Sequence, residues 1–135
     1  MAEIKLEIVT PEKKVYDGAA DAVNVPTATG EIGILPNHAP LISSLKPGIL
    51  TVTGKGTTEK MVVAGGFVEV SANKVSVLTD IAETAAEINV EAARAEREAA
   101  EKALGGTWSG TAEAFDAEKE KLERAQARLA LAAGR

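Results

Sequence analysis

The sequence contains no cysteine and very few aromatic residues, with one tryptophan, one tyrosine and two phenylalanines among 135 residues. A chain without thiols forms neither disulfides nor thiolate metal sites, so we expect a reducing, cytosolic setting and no metal centre. It also lacks a P-loop, a GxGxxG turn that opens a helix after a strand, and any second histidine. These absences argue against hydrolase, transferase and cofactor-dependent chemistry. We therefore predict a non-catalytic protein without a cofactor.

Positive charge is also scarce. The formal net charge is -5, and neither part of the chain is basic: residues 1–85 carry 7 basic and 10 acidic side chains, and residues 86–135 carry 8 and 10. Binding to a phosphate backbone requires clustered Lys and Arg, often with aromatic rings that stack on bases. We therefore expect no nucleic-acid partner.

Long apolar runs are missing as well. The N-terminal segment MAEIKLEIV alternates apolar and charged residues, and it has neither the basic start nor the apolar core of a signal peptide. No apolar stretch reaches the roughly 18 residues that a membrane-spanning helix needs. We expect a chain that does not insert into a membrane by itself.

The residues that are present divide the chain near Thr84. All 5 prolines lie before position 48 and most valines before position 78, whereas every arginine follows Ala93. Valine favours strands, and the alanine, glutamate, lysine and arginine of the second part favour helices. The composition predicts an α+β protein, with a strand domain over residues 1–84 and a helical domain over residues 85–135.

The first part shows the period of two that is typical of strands. Ile4, Leu6 and Ile8 alternate with other side chains, which places one apolar row on a single sheet face. Nine or so short apolar runs of this kind predict an antiparallel β-sandwich or a flattened barrel. The runs cover residues 4–8, 15–16, 23–25, 32–35, 41–45, 49–53, 60–64, 67–71 and 75–79.

Glycine, aspartate and asparagine separate these runs. We predict hairpin-type turns at Asp17-Gly18, Gly54-Lys55-Gly56 and Ala72-Asn73. The Gly65-Gly66 pair has two interpretations, a β-bulge or a point at which another backbone passes close by. A structural role is favoured over a binding role for this pair.

The second part has the period of a helix. Asn89 is suited to cap a first helix and Gly105-Gly106 to end it. A hinge over residues 105–111, which contains Trp108, then leads to a second helix over about 112–133. The result is a two-helix hairpin whose seam is mostly alanine, so that it buries little apolar area and is able to open.

One stretch, TGEIGILPNHAPL over residues 29–41, encloses a very short apolar run between glycines and prolines. These residues restrict the backbone, so we predict a stiff, exposed loop. It carries Glu31 near its start and His38, the single histidine, near its tip. On pattern alone the stretch is either a corner of an all-β domain or a site that presents these side chains. A surface or packing role for His38 is favoured over general-base catalysis.

The same stretch resembles the GE(L/I)GI-P-HAPL segment of the epsilon subunit of F-type ATP synthases. Lys46-Pro47-Gly48 and the GGFVEV of residues 65–70 fall where that family has its KPG and GGFxEV segments. The resemblance implies a β-sandwich with a helical hairpin, acting as a central-stalk adaptor between the gamma shaft and the membrane ring in proton-driven ATP synthesis. It also implies rotor contacts by Glu31 and His38, and a peripheral position on the cytoplasmic face of the cell inner membrane.

In this family the helical tail can restrain ATP hydrolysis by the catalytic alpha/beta head. The resemblance therefore makes the tail arginines candidates for regulatory contacts with an acidic surface of that head. By themselves, the alternating charges of the tail indicate a solvated helix surface with pairs between residues i and i+4. The four candidates are Arg94, Arg97, Arg124 and Arg128.

Family members that bind ATP carry an I(D)xxRA motif at the start of the first helix. The matching residues here are Ile88, Asn89, Ala92 and Ala93, so Asn replaces the Asp and Ala replaces the Arg. Loss of the guanidinium removes a charge-assisted phosphate contact worth about 1.5 to 3 kcal/mol. We expect weak nucleotide binding or none.

Two other classes of function stay open at this point. One is a small nucleotide-sensing binding module, in which the sandwich is only a scaffold for the hairpin. The other is a chaperone-like sandwich with a helical dimerisation tail. Calorimetry with ATP and Mg separates the first from the stalk subunit, and a monomeric purified chain argues against the second.

Overall fold

The computed structural model describes residues 3–134, which form ten strands, one short 3₁₀ helix and two α-helices. The strands are β1 (Ile4–Val9), β2 (Lys14–Ala20), β3 (Ala22–Thr27), β4 (Gly30–Ile34), β5 (Leu41–Ser44), β6 (Gly48–Gly54), β7 (Thr57–Ala64), β8 (Phe67–Ser71), β9 (Lys74–Leu78) and β10 (Ile81–Thr84). The 3₁₀ helix is Ala85–Glu87, and the α-helices are α1 (Val90–Leu104) and α2 (Ala112–Ala133). Met1, Ala2 and Arg135, at the ends of the two predicted domains, lie outside the described residues.

The strands form two sheets that share one apolar core. Sheet A has the order β2-β1-β9-β8-β5, and sheet B has the order β10-β7-β6-β3-β4. Because side chains alternate along a strand, every second residue points into the core. The row predicted for β1 follows this rule, since Ile4, Leu6 and Ile8 are buried. The predicted β-sandwich followed by two helices is confirmed.

Two features of the sheets differ from the prediction. Strands β1 and β9 pair in parallel, with Leu6 opposite Val75. The chain reaches β9 only after passing through sheet B and returning, and an alternating pattern carries no information on strand direction. A tenth strand, β10, adds to the nine or so that the sequence predicts. It shows no alternation, because Ile81, Ala82 and Glu83 are all half-buried.

Two of the predicted hairpin turns are confirmed. Ala72 and Asn73 join β8 to β9 with positive φ angles of 50° and 62°. Lys55 and Gly56 join β6 to β7 with φ angles of 51° and 77°. Consecutive positive φ angles produce the turn whose twist matches that of antiparallel strands.

The turn predicted at Asp17-Gly18 is wrong. Both residues lie inside β2, where Asp17 pairs with Glu7 of β1. The chain turns earlier, between Thr10 and Lys13, where the Thr10 hydroxyl oxygen accepts a hydrogen bond from the Lys13 N–H at 3.3 Å. A single glycine is tolerated within a strand, so the Asp-Gly signal here does not mark a turn.

The Gly65-Gly66 pair carries the chain from β7 in sheet B to β8 in sheet A, with φ angles of 77° and 84°. A Cβ atom at position 66 would collide with the backbone carbonyl of Leu78. Glycine is needed both for the positive φ and for this contact. Of the two interpretations, the close approach of another backbone is therefore correct.

The helical hairpin begins and ends where the sequence predicts. The Asn89 side chain accepts a hydrogen bond from the Ala92 N–H at 3.0 Å, and Gly105 follows the last residue of α1. The Thr111 side chain caps α2 in the same way. Trp108 lies in the intervening hinge, where its ring packs edge-on against Phe115 with 5.5 Å between ring centroids. Among the described residues, no helix is both long and apolar enough to span a membrane.

Alanine makes up the buried seam between the helices, as predicted. The buried positions are Ala93 and Ala100 on α1, with Ala125 and Ala132 on α2. A second apolar cluster, which the sequence does not predict, joins the tail to the sandwich. In it, Ala127 and Leu131 of α2 pack with Val62 of β7. The hairpin therefore lies docked on the outer face of sheet B.

Candidate functional site

The stretch over residues 29–41 runs along one edge of the sandwich. It contains β4, the edge strand of sheet B, and it crosses over residues 35–40 to β5, the edge strand of sheet A. An edge strand has one side without a strand partner and is open to other chains. The stretch therefore occupies a surface suited to contacts.

Glu31 and His38 lie near opposite ends of β4. Glu31 is exposed and sits beside the β3–β4 turn, opposite Pro26. His38 lies beyond the other end of the strand, and its Nδ1 donates a hydrogen bond to the Ala39 carbonyl at 2.7 Å. The structure brings these two side chains onto one edge but does not bring them together. Within residues 3–134, no cluster of His, Asp and Glu is arranged to hold a metal ion.

The loop that carries His38 is held by a reciprocal amide pair. Asn37, with a φ of 69°, donates its backbone N–H to Asn73 Oδ1 at 2.6 Å. Asn73 Nδ2 donates in return to Asn37 Oδ1 at 3.3 Å. The predicted stiffness thus has a second source, a bond to the distant β8–β9 turn. Only the neighbouring Gly and Pro residues signal that stiffness in the sequence.

An apolar surface on the outer face of sheet A is a feature that sequence reasoning missed. Phe67 lies directly opposite Leu78 on the neighbouring strand, and each is 43% exposed. Val9 continues this row on β1, and Ile42 is 69% exposed on β5. A cleft of about 310 Å³ opens beside Phe67 and Leu78. The sequence did contain a sign of this surface. Along β8 and β9, Phe67 and Leu78 alternate with the buried valines, so they point to the opposite face of the sheet.

Three of the four tail arginines make loose or exposed ion pairs. Arg94 pairs with Glu91 of its own helix at 3.4 Å. Arg97 and Arg124 each lie 3.9 Å from a carboxylate oxygen. The Nε atoms of both Arg97 and Arg124 are buried without a hydrogen-bond acceptor among the described residues. The seam between the helices is therefore incompletely satisfied.

Arg128 differs from the other three because it binds two carboxylates. Its Nε and Nη2 donate to the two carboxylate oxygens of Glu83 on β10, at 2.7 and 3.0 Å. Its Nη1 donates to Glu96 of α1 at 3.2 Å. The side chain of Arg128 is only 15% exposed. Sequence reasoning missed Glu83 and Glu96, which lie far from Arg128 along the chain.

The four residues that match the nucleotide motif have structural roles at the start of α1. Ile88 and Ala93 are buried, Asn89 caps the helix through the Ala92 N–H, and Ala92 is exposed. An open cleft of about 500 Å³ between the helices is lined by Arg94 and Arg97 on the α1 side. Position 92 offers no donor for a phosphate, as the sequence indicates.

The link between sandwich and hairpin contains one carboxylate with a perturbed acidity. The Glu87 Oε1 atom accepts hydrogen bonds from the Thr84 N–H at 3.0 Å and from the Thr84 hydroxyl at 2.9 Å. These hydrogen bonds favour the charged form, so they hold the pKa of the Glu87 carboxyl below its usual value.

A family model of the ATP synthase delta/epsilon chain, β-sandwich domain, matches residues 3–85. The chain belongs to this family. An ATP synthase epsilon chain of Carboxydothermus hydrogenoformans is 53% identical over 102 residues, which are 76% of each chain. An epsilon chain of Myxococcus xanthus is 42% identical over 132 residues, which are 98% of this chain and 96% of the relative. The likeness to the second relative thus extends through the hairpin.

Solved structures of ATP synthases contain the same fold. A chain in the Euglena gracilis mitochondrial ATP synthase, in a structure of OSCP, F1 and c-ring, superposes with a TM-score of 0.81 at 25% identity. The superposition covers 100% of this chain and 83% of that one. A chain in the central stalk and c-ring of the Tetrahymena thermophila mitochondrial enzyme has a TM-score of 0.65 at 17% identity, which shows the fold alone.

Proposed function

We propose that the chain is the epsilon subunit of a proton-translocating F-type ATP synthase, in which residues 1–84 bind the rotor and residues 85–135 regulate it. The subunit is not catalytic, carries no cofactor and couples the gamma shaft to the membrane ring. The observation that carries the proposal is the likeness over the whole chain to a subunit of a solved complex of F1 and c-ring. The same reasoning makes the subunit peripheral, on the cytoplasmic face of the cell inner membrane.

The rotor-binding surface is proposed to combine the edge stretch with the apolar face of sheet A. Three exposed apolar side chains lie on neighbouring strands of sheet A: Ile42 on β5, Phe67 on β8 and Leu78 on β9. A protein that functions without a partner rarely exposes such a group of large apolar side chains. A permanent partner such as the gamma shaft fits this face, because stable interfaces are apolar at their centre. Glu31 and His38 add polar contacts from a preorganised edge, which limits the entropy lost on binding.

The tail is proposed to restrain ATP hydrolysis by extending towards the catalytic alpha/beta head. In the docked form the Nε groups of Arg97 and Arg124 are buried and make no hydrogen bond among the described residues, and the nearest carboxylate oxygen of each side chain's ion pair is 3.9 Å away. A buried donor left unpaired costs about 1 to 3 kcal/mol, so an acidic partner that supplies acceptors lowers the free energy of the extended form. This weakness of the docked seam supports a tail with two accessible arrangements.

ATP is proposed to have little influence on the balance between the docked and extended arrangements of the tail. The positions at which family members hold the nucleotide carry Asn89, which is used as a helix cap, and Ala92, which has no polar side-chain atom. A ligand without a preference for one arrangement does not shift the balance between the two.

The proposal is tested by purifying the tagged full-length chain from detergent-solubilised membranes of its host and identifying the proteins that accompany it. We expect the gamma subunit, the catalytic subunits and the membrane ring in fixed proportions. A chain that emerges alone, or with proteins unrelated to an ATP synthase, would contradict the assignment.

A further inference from the structure

One guanidinium joins three separate elements of this protein. Arg128 of α2 binds Glu83 on β10 through two parallel hydrogen bonds, and it binds Glu96 on α1 through Nη1. Two parallel bonds between a guanidinium and a carboxylate fix the orientation as well as the distance. We call this set of three residues, Arg128, Glu83 and Glu96, the clamp. The clamp ties the sandwich to both helices of the tail.

The cation of the clamp is more buried than the cation of the other ion pair that joins the sandwich and the tail within the described residues. Arg128 is 15% exposed and Glu83 28%, whereas Lys46, which pairs with Glu123 at 3.1 Å, is 50% exposed. Exposed pairs contribute little because water and salt screen them. Removing one partner of a shielded pair has a larger effect, since it leaves the other charge without compensation.

Arg128 is also one of the four arginines proposed above to reach the catalytic head. In the docked form its Nε, Nη1 and Nη2 all donate to the protein's own carboxylates. The side chain cannot make these bonds and bind an acidic partner surface at the same time. Docking and inhibition therefore compete for a single guanidinium.

We propose that Glu83 and Glu96 form a latch that holds the hairpin against sheet B by binding Arg128. While the latch is closed, the tail is kept from inhibiting ATP hydrolysis. Loss of Glu83 releases the tail from the sandwich with its arginine intact, whereas loss of Arg128 releases a tail that has lost part of its binding capacity. Glu96 adds to the latch by holding α1 to α2 through the same guanidinium. The latch itself is a property of the isolated chain. Its consequence for ATP hydrolysis rests on the proposed function.

The latch is tested first on the isolated full-length chain. Because the sequence has no cysteine, Thr58→Cys and Ala130→Cys provide two unique sites for spin labels. Both residues line the same groove between sheet B and α2, so the labels are close together when the tail is docked. Electron paramagnetic resonance then measures the populations of docked and released tails.

In this background, Glu83→Gln is expected to raise the ratio of released to docked tails by roughly tenfold or more. The matched control is Glu98→Gln, which removes the same charge from an exposed position of α1 that makes no ion pair in the described structure. The control should leave the distances unchanged. Equal distance distributions for the two variants would overturn the latch.

A charge exchange supplies a second check. In a Glu96→Gln background, which removes the second carboxylate beside Arg128, Arg128→Glu should release the tail. Adding Glu83→Arg should restore docking, since the pair is then re-formed with opposite sense. A double variant as released as the single one would show that Arg128 supports docking by packing and not by this pair.

The assembled complex tests the consequence separately. Glu83→Gln should lower ATP hydrolysis below that of the unmodified complex, because more tails are free to inhibit. Arg128→Ala should not lower it in the same way, because the freed tail lacks the arginine. If Glu83→Gln raises the population of released tails in the spin-labelled chain but leaves ATP hydrolysis by the complex unchanged, the latch is supported and the proposed inhibitory function is contradicted.

Discussion

Asn37 and Asn73 exchange hydrogen bonds across 36 positions of sequence, from a loop at the edge of the sandwich to a turn between two strands. The pair ties the loop that carries His38 to the β8–β9 turn. Both asparagines have positive φ angles, 69° and 62°, which asparagine tolerates better than most residues.

The first prediction concerns this pair. Asn73→Gly removes the side-chain amide but keeps the left-handed backbone without strain. We expect a loss of roughly 1 kcal/mol in the free energy of unfolding, the net value of one or two exposed hydrogen bonds. Amide exchange at Asn37 should also become faster. The control is Ala72→Gly, which changes the same turn and keeps the pair; if it accelerates exchange at Asn37 equally, the pair is not what holds the loop.

The second prediction concerns Glu31 and His38, which occupy the same edge and belong to neither apolar cluster of the described residues. Alanine at either position should change the melting temperature of the isolated chain by no more than about 2 °C, because surface substitutions have small effects. Assembly with the rotor, measured by co-sedimentation, should weaken. If a variant instead unfolds the isolated chain, the substituted residue has a structural role, and its proposed role at the interface is contradicted.

The third prediction is that residues 1–84 fold without the tail. The main core is built from both sheets alone, from Ile4 to Val77, and no tail residue belongs to it. Thermal unfolding of this fragment should be cooperative. Truncation exposes Val62, which α2 covers in the full chain, so Val62→Thr should improve the solubility of the fragment. A broad, non-cooperative transition would count against two separable domains.

The fourth prediction is a pH dependence at the link between sandwich and hairpin. The pKa of the Glu87 carboxyl is lowered by the hydrogen bonds from Thr84. A group with a lowered folded pKa contributes stability at pH values above its unfolded pKa, near 4.5, and this contribution is lost as the pH falls through the folded value. Carboxyl chemical shifts recorded against pH should show Glu87 titrating below the usual value of a glutamate carboxyl, near 4.5. Thr84→Ala should move it partly back, since the backbone hydrogen bond remains; an unshifted titration in the unmodified chain would contradict the hydrogen bonds.

The sequence predicts the helices closely because their ends depend on local chemistry. Asn89 and Gly105 act on the backbone within one turn, so their effect is legible from neighbouring residues. The contacts that hold the tail to the sandwich are not local. Arg128 and Glu83 are 45 positions apart, and nothing in either segment marks the other as its partner. The same holds for the parallel pairing of β1 with β9, which depends on the path of the whole chain.

The last prediction concerns the tail in the assembled complex. Deleting residues 86–135 should raise ATP hydrolysis by about twofold or more, the change expected when a substantial share of the tails is extended. Replacing Arg94, Arg97, Arg124 and Arg128 together by alanine should reproduce much of that rise, because it removes the guanidiniums proposed to meet the catalytic head. Unchanged hydrolysis after the deletion would remove the inhibitory role.

Calorimetry on the isolated chain completes this prediction, because it separates an inhibitory tail from a nucleotide sensor. Asn89 is occupied as a helix cap and Ala92 has no donor, so ATP with Mg should give no saturable heat up to about 1 mM. The matched variant is Ala92→Arg, which returns a guanidinium to an exposed position of α1 and should increase the heat of binding if that position governs the nucleotide contact. Micromolar binding by the unmodified chain would instead support the nucleotide-sensing alternative, and would require donors other than these two residues to hold the phosphates.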